Sequence, residues 1–117
     1  GPSLPPPPFS GRPIDADWLR LPWSPTVPLK QAKTTAPKAP GVYRLMSGNQ
    51  VVYLGESKEL WSRLTIHAAT YRGHAMTASW VTMLSALPHH LKERETDLIG
   101  GFYKQMKVPP RLQYKSK

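Results

Sequence analysis

Gly41-Val-Tyr-Arg-Leu-Met-Ser47, the turn Gly48-Asn49-Gln50 and Val51-Val-Tyr-Leu-Gly-Glu56 decide how this chain folds. Two runs rich in β-branched and aromatic residues, separated by a Gly-Asn turn, predict an antiparallel hairpin. Gly41 and Gly55, at corresponding strand ends, allow close backbone approach. Tyr43 and Tyr53 fall on the paired strands. Strand tyrosines pack well and are common, so by themselves they carry no chemistry.

After Glu56 the periodicity becomes helical. Ser57 is the expected N-cap, and Leu60, Trp61, Leu64 and Ala68 share one face of a helix that ends between Thr70 and Gly73. Ala78 to Ala86 is apolar and partly β-branched, which predicts a third strand. Pro88 opens a second helix, expected to run to about Tyr103, with Gly100-Gly101 weakening its end. The tail Val108 to Tyr114 is expected to be extended. The predicted fold class is therefore α/β (α+β): a small, mainly antiparallel three-stranded sheet flanked by helices.

Glu95 is out of place on the second helix. At about 100° per residue it falls inside the apolar stripe of Leu91, Leu98, Ile99 and Phe102. Lys92, Glu93 and Asp97 lie on the far side, toward water. An ionised carboxylate on a buried face is costly unless a cation or a fixed arginine pairs with it. Two readings are open: a paired functional acid, or a residue at the edge of the core that reaches solvent. His89 and His90 point about 100° apart on a helix and do not make a shared ligand pair.

Composition narrows the partner. The 117 residues suit one small domain, and 16 Lys+Arg against 7 Asp+Glu give a formal charge of +9. Such a field favours phosphate polymers or an anionic surface. There is no apolar run long enough for a membrane span and no signal-peptide pattern. The absence of cysteine rules out disulfides and thiolate metal sites, and fits a reducing compartment. The expected location is intracellular, cytoplasmic or nuclear/nucleoid, with secretion as an effector left open. Residues 1–12 read as a tag scar (Gly1-Pro2-Ser3) and a Pro-rich disordered or polyproline segment. Residues 13–38 read as a Trp/Pro-rich arm: Trp18 and Trp23 anchor it on the domain, and Asp15 to Leu21 forms one helical turn at most. A protein partner bound through this arm is a further expectation. Residues 39–117 form the domain itself.

The two tripeptides, Gly41-Val-Tyr43 and Tyr53-Leu-Gly55, together resemble the paired motifs of the GIY-YIG nuclease superfamily. Ser57 and Leu60 fit the small-polar and leucine positions that follow. Arg63 takes the place of the family's helix arginine, and His67 follows one turn later. Glu95, in a Glu-x-x-Leu-Ile context, resembles the segment that bears the metal-binding glutamate. Pro109-Pro-Arg-Leu-Gln113 looks like the closing Pro-x-x-Asn segment. The resemblance covers residues 39 to 114. It implies a divalent-metal-dependent DNA endonuclease that hydrolyses phosphodiesters with one metal ion, Mg2+ or Mn2+, leaving 5′-phosphate and 3′-hydroxyl ends. RNA as a substrate and the oligomeric state stay open.

The implied roles fit elementary chemistry. Phosphodiester hydrolysis needs an activated water and a cation to offset charge on the phosphate. Glu95 as the single protein ligand suits Mg2+, which keeps most of its waters. Arg63 and His67 are four apart and share one edge of the helix; Arg63 can fork onto phosphate oxygens. For Arg63 a surface salt bridge to Glu59 is the competing reading. For His67, proton transfer, a hydrogen bond to a tyrosine and plain packing all stay open. By resemblance Tyr43 is the general base and Tyr53 positions the water. Two residues depart from the pattern: Gln113 replaces the usual Asn, one methylene longer, and Glu56 stands where many members carry lysine. Both open the alternative of a weakened or inactive nuclease fold that binds nucleic acid. Contacts to DNA are expected from Arg44, Lys58, Arg72, Lys104, Lys107 and Arg111, with Trp61 or Tyr71 stacking on a base.

Overall fold

The structure, a computed structural model, describes residues 11–114. The expectations for Gly1-Pro2-Ser3 and for Pro5 to Pro8 lie outside the described residues. The sheet has four antiparallel strands: β1 (Val27–Pro28), β2 (Gly41–Ser47), β3 (Gln50–Ser57) and β4 (Met76–Thr82), in the order β1-β4-β2-β3. Three helices complete the fold: α1 (Ala32–Thr35), α2 (Leu60–Thr70) and α3 (Pro88–Met106). The sheet thus has one strand more than predicted. Val27 and Pro28 pair with Ala78 and Thr77. A two-residue strand ending in proline has no periodicity to read, and its pairing is decided by the β4 edge it meets.

The predicted hairpin forms as β2 and β3. Gly48 adopts φ +61, the left-handed conformation such turns use. A bulge between Leu45 and Met46 leaves Val52 as the extra residue of β3. β2 lies between β3 and β4, and residues 41–46 are buried. Both of its faces are covered, so its side chains divide into two cores. Tyr43 and Leu45 pack with Leu60 and Leu64 of α2 and with Leu29, Ala32 and Ala36. Val42 and Met46 pack with Leu98 and Phe102 of α3 and with Trp18 and Trp23 of the arm.

Several boundaries moved. The third long strand starts at Met76 and ends at Thr82, so residues 83–87 form a loop rather than strand. α2 begins at Leu60, not at Ser57: Ser57 closes β3, and its hydroxyl accepts from the Glu59 N–H at 3.0 Å. Backbone carbonyls of Ala39 and Pro37 take the first two helical N–H groups, of Leu60 and Trp61, and supply the cap. α3 continues through Gly100-Gly101 to Met106 and stops at Lys107, which has φ +66. Burial of Leu98 and Phe102 outweighs the roughly 1 kcal/mol that each glycine costs a helix.

The arm is tied down by Arg44. This residue points from β2 into the α3-side core and is 1% exposed. Its Nη1 donates to the carbonyls of Pro13 and Asp15, and its guanidinium lies 4.4 Å from the Trp23 ring centroid. Burial lowers its pKa to about 10. Arg44 therefore cannot serve as a DNA contact: the arm covers it. The Trp18 and Trp23 rings stack at 6.1 Å, and the Trp18 indole N–H donates to Gln105 of α3 at 2.8 Å. A short 3-10 turn, Trp18–Arg20, lies within the predicted Asp15 to Leu21 segment. Among the described residues no helix is long and apolar enough to cross a membrane.

Candidate active site

Tyr43 and Tyr53 project from β2 and β3 on the α2 side of the sheet, where Tyr53 stands opposite Leu45, two residues from Tyr43. That diagonal relation brings the two rings together, stacked at 6.1 Å with 14° between their planes. Gly55 pairs with Tyr43 across the strands. A Cβ on Gly55 would lie 2.4 Å from both the Cζ and the hydroxyl of Tyr43. Only glycine lets that phenol lie flat over the neighbouring strand.

The third ring comes from α2. His67 falls beside Leu60 and Leu64 on the helix's buried face. Its Nε2 lies 2.7 Å from the Tyr43 hydroxyl, and its ring centroid is 4.9 Å from that of Tyr53. Tyr71, one turn on, stacks on His67 at 6.0 Å. The hydrogen bond and the packing expected as alternatives for His67 thus coexist. Burial raises the pKa of Tyr43 well above the ordinary phenol value, and the nearby Arg63 charge only partly opposes it. Burial also raises Tyr53, with the Glu95 carboxylate adding to the effect.

Glu95 reaches the same place from the other side of the sheet. β3 is an edge strand, so alternate backbone groups point outward and need partners. Glu95 Oε2 accepts the Glu56 N–H at 3.1 Å. The tail supplies the rest: Gln113 clamps Leu54, accepting its N–H at 2.8 Å and donating to its carbonyl at 2.7 Å, while the Leu112 N–H donates to Val52 at 2.8 Å. Gln113 is thus turned to the strand between Tyr53 and Gly55. Its amide reaches both backbone groups of Leu54, the residue that follows Tyr53.

The Glu95 side chain is 21% exposed, and its other oxygen, Oε1, lies 3.6 Å from Nζ of Lys92. Lys92 is 70% exposed, in keeping with its place on the solvent side, and its stem reaches back to Glu95. The i, i+3 spacing was the available signal for this pair. A divalent cation fits this corner in one way. Among the described residues no group of three or more His, Asp or Glu could hold a metal ion. A cation at Glu95 would take Oε1 of a carboxylate that the Glu56 amide orients through Oε2, and draw its other ligands from water or phosphate, as Mg2+ commonly does.

Arg63 is exposed, one helical turn before His67. It lines a hollow of about 450 Å³ together with Glu56, Ser57, Lys58, Glu59, Ser62 and Ile66. Lys58 therefore stands beside Arg63. Arg72, Lys104, Lys107 and Arg111 are exposed, as a contact surface requires. Trp61 is committed elsewhere: its indole N–H donates to the Lys33 carbonyl at 2.6 Å, and Nζ of Lys38 lies 5.0 Å from its ring centroid. It holds α1 against α2, and Lys38 lies over one face of its ring.

No protein-family model and no curated protein matches the sequence. Solved structures do. Two crystal structures of the GIY-YIG N-terminal endonuclease domain of UvrC from Thermotoga maritima, both point mutants bound to their catalytic divalent cation, share the architecture. One aligns with TM-score 0.50 and 16% identity, the other with 0.51 and 18%. Each alignment covers 74% of this chain and 96% of the other. At such identity the likeness establishes the fold.

Proposed function

We propose that this chain, which has the GIY-YIG fold, is a divalent-metal-dependent endonuclease that hydrolyses DNA phosphodiesters by a one-metal mechanism. One observation carries the reading. Glu95 of α3 is held at the outer edge of β3 by the Glu56 N–H, on the strand that carries Tyr53, whose ring stacks with that of Tyr43. The neighbours' bound catalytic divalent cation supports metal dependence.

A divalent cation at Glu95, Mg2+ or Mn2+, would offset charge on the phosphate and aid formation of the nucleophile. The chain's own groups supply the rest. Arg63 forks onto phosphate oxygens from the hollow beside Lys58. Burial keeps the Tyr43 phenol neutral, so it is a weak base alone. His67 offers the way out in its Nδ1–H tautomer, in which Nε2 accepts from the Tyr43 hydroxyl: as Tyr43 takes a proton from the attacking water, its own proton passes to His67. Tyr53 orients that water, and Gln113 fixes Tyr53 through the Leu54 clamp. Arg72, Lys104, Lys107 and Arg111 add sequence-independent phosphate contacts.

The test is a panel of plasmid, single-stranded and branched DNA, with an RNA arm, incubated with Mg2+, Mn2+ or EDTA. Metal-dependent cutting that Glu95→Gln and Tyr43→Phe both abolish is expected. A second reading, a nuclease fold that binds nucleic acid without cutting, is favoured by Glu56, an acid lining the hollow beside Arg63. Salt-sensitive DNA binding with no cleavage under either ion would select it.

A further inference from the structure

We propose that Lys92 is a displaceable counter-ion of Glu95: its ammonium competes with the divalent cation for the one carboxylate oxygen left open. The inference rests on the metal reading above. Glu95 Oε2 is committed to the Glu56 N–H, so Oε1 is the oxygen available to a cation. Lys92 Nζ already stands 3.6 Å from it. The pair spans one turn of α3, with Lys92 at i and Glu95 at i+3, so the lysine stem needs no strain to reach.

The two partners differ in freedom. The Glu95 side chain is 21% exposed and anchored to β3, whereas that of Lys92 is 70% exposed. The carboxylate is fixed and the ammonium can leave. A separation of 3.6 Å on a solvent-exposed lysine makes a weak pair, easily exchanged. Lys92 therefore keeps the half-buried acid neutralised in the metal-free protein. It yields to a doubly charged ion, and once displaced adds a cation beside the phosphate path.

The experiment is a calorimetric Mn2+ titration of the full chain without DNA, at low ionic strength. It compares wild type with Lys92→Ala, Lys92→Arg and Glu95→Gln. Lys92→Ala is expected to bind Mn2+ roughly two- to five-fold tighter, the scale of an exposed ion pair. Lys92→Arg should match wild type, because it keeps the charge. Glu95→Gln should lose binding, and added salt should shrink the gap between Lys92→Ala and wild type. Equal or weaker Mn2+ binding by Lys92→Ala, with wild type still binding, overturns the competition and leaves the metal reading standing. Loss of Mn2+ binding in wild type and Lys92→Ala alike overturns both.

Discussion

The hydroxyl of Tyr43 lies 2.7 Å from Nε2 of His67, inside the α2-side core, with Gly55 beneath the phenol ring. The bond ties the central strand to α2 at the point where the site opens. Because burial raises the pKa of Tyr43 above its unfolded value of about 10, the folded protein holds that proton to higher pH than the unfolded chain does. The stabilisation is therefore complete below about pH 10 and is lost as pH rises beyond it. Urea unfolding at pH 8, 9.5 and 11 should show this decline. Tyr43→Phe should make the decline shallower, with the raised Tyr53 keeping part of it, at a cost of about 1 kcal/mol at pH 8 for the lost hydrogen bond.

Glu95→Gln separates structure from chemistry. The glutamine oxygen can still accept the Glu56 N–H, so the melting temperature should stay within a few degrees of wild type. Cleavage should fall about 100-fold or more, the scale of losing one charge-stabilising group. Glu95→Ala also leaves the Glu56 amide without this acceptor and should cost about 1–2 kcal/mol in addition. A Glu95→Gln protein that cuts normally would assign Glu95 to the strand edge alone.

Gly55→Ala drives a methyl group into Tyr43. With the ring carbon Cζ as close as the hydroxyl, at 2.4 Å, Tyr43→Phe should not relieve the clash. We expect a loss of about 1–3 kcal/mol from overpacking, read by denaturant midpoint, in both backgrounds.

Gln113→Ala removes both bonds to Leu54 and should cost about 1–3 kcal/mol. Gln113→Asn, one methylene shorter, cannot span both and should retain part of the stability. Hydrogen exchange at the Leu54 amide checks this directly: it should quicken most in the alanine variant.

Trp18→Ala should cost about 3–5 kcal/mol, because the ring is wholly buried and its N–H holds Gln105. Proteolysis should then cut within the arm before the domain, as Arg44 loses the covering that keeps it from water.

The hairpin, the apolar stripes of α2 and α3, and the candidacy of Tyr43, Tyr53, Arg63, His67 and Glu95 were legible in the chain, because each rests on local periodicity or on spaced motifs. The destination of Arg44 was not. A basic residue on an alternating strand looks solvent-facing until a distant segment supplies Pro13 and Asp15 carbonyls and the Trp23 ring to bury it. The β1 pairing, the turn of Gln113 toward Leu54, the capture of Trp61 by Lys33 and the Lys92 contact with Glu95 belong to the same class. Sequence determined which residues could do chemistry and on which element each sits. Tertiary structure decided which of their polar groups are already spent, because a strand edge, a buried cation and an indole N–H take the partners nearest in space, whatever their distance along the chain.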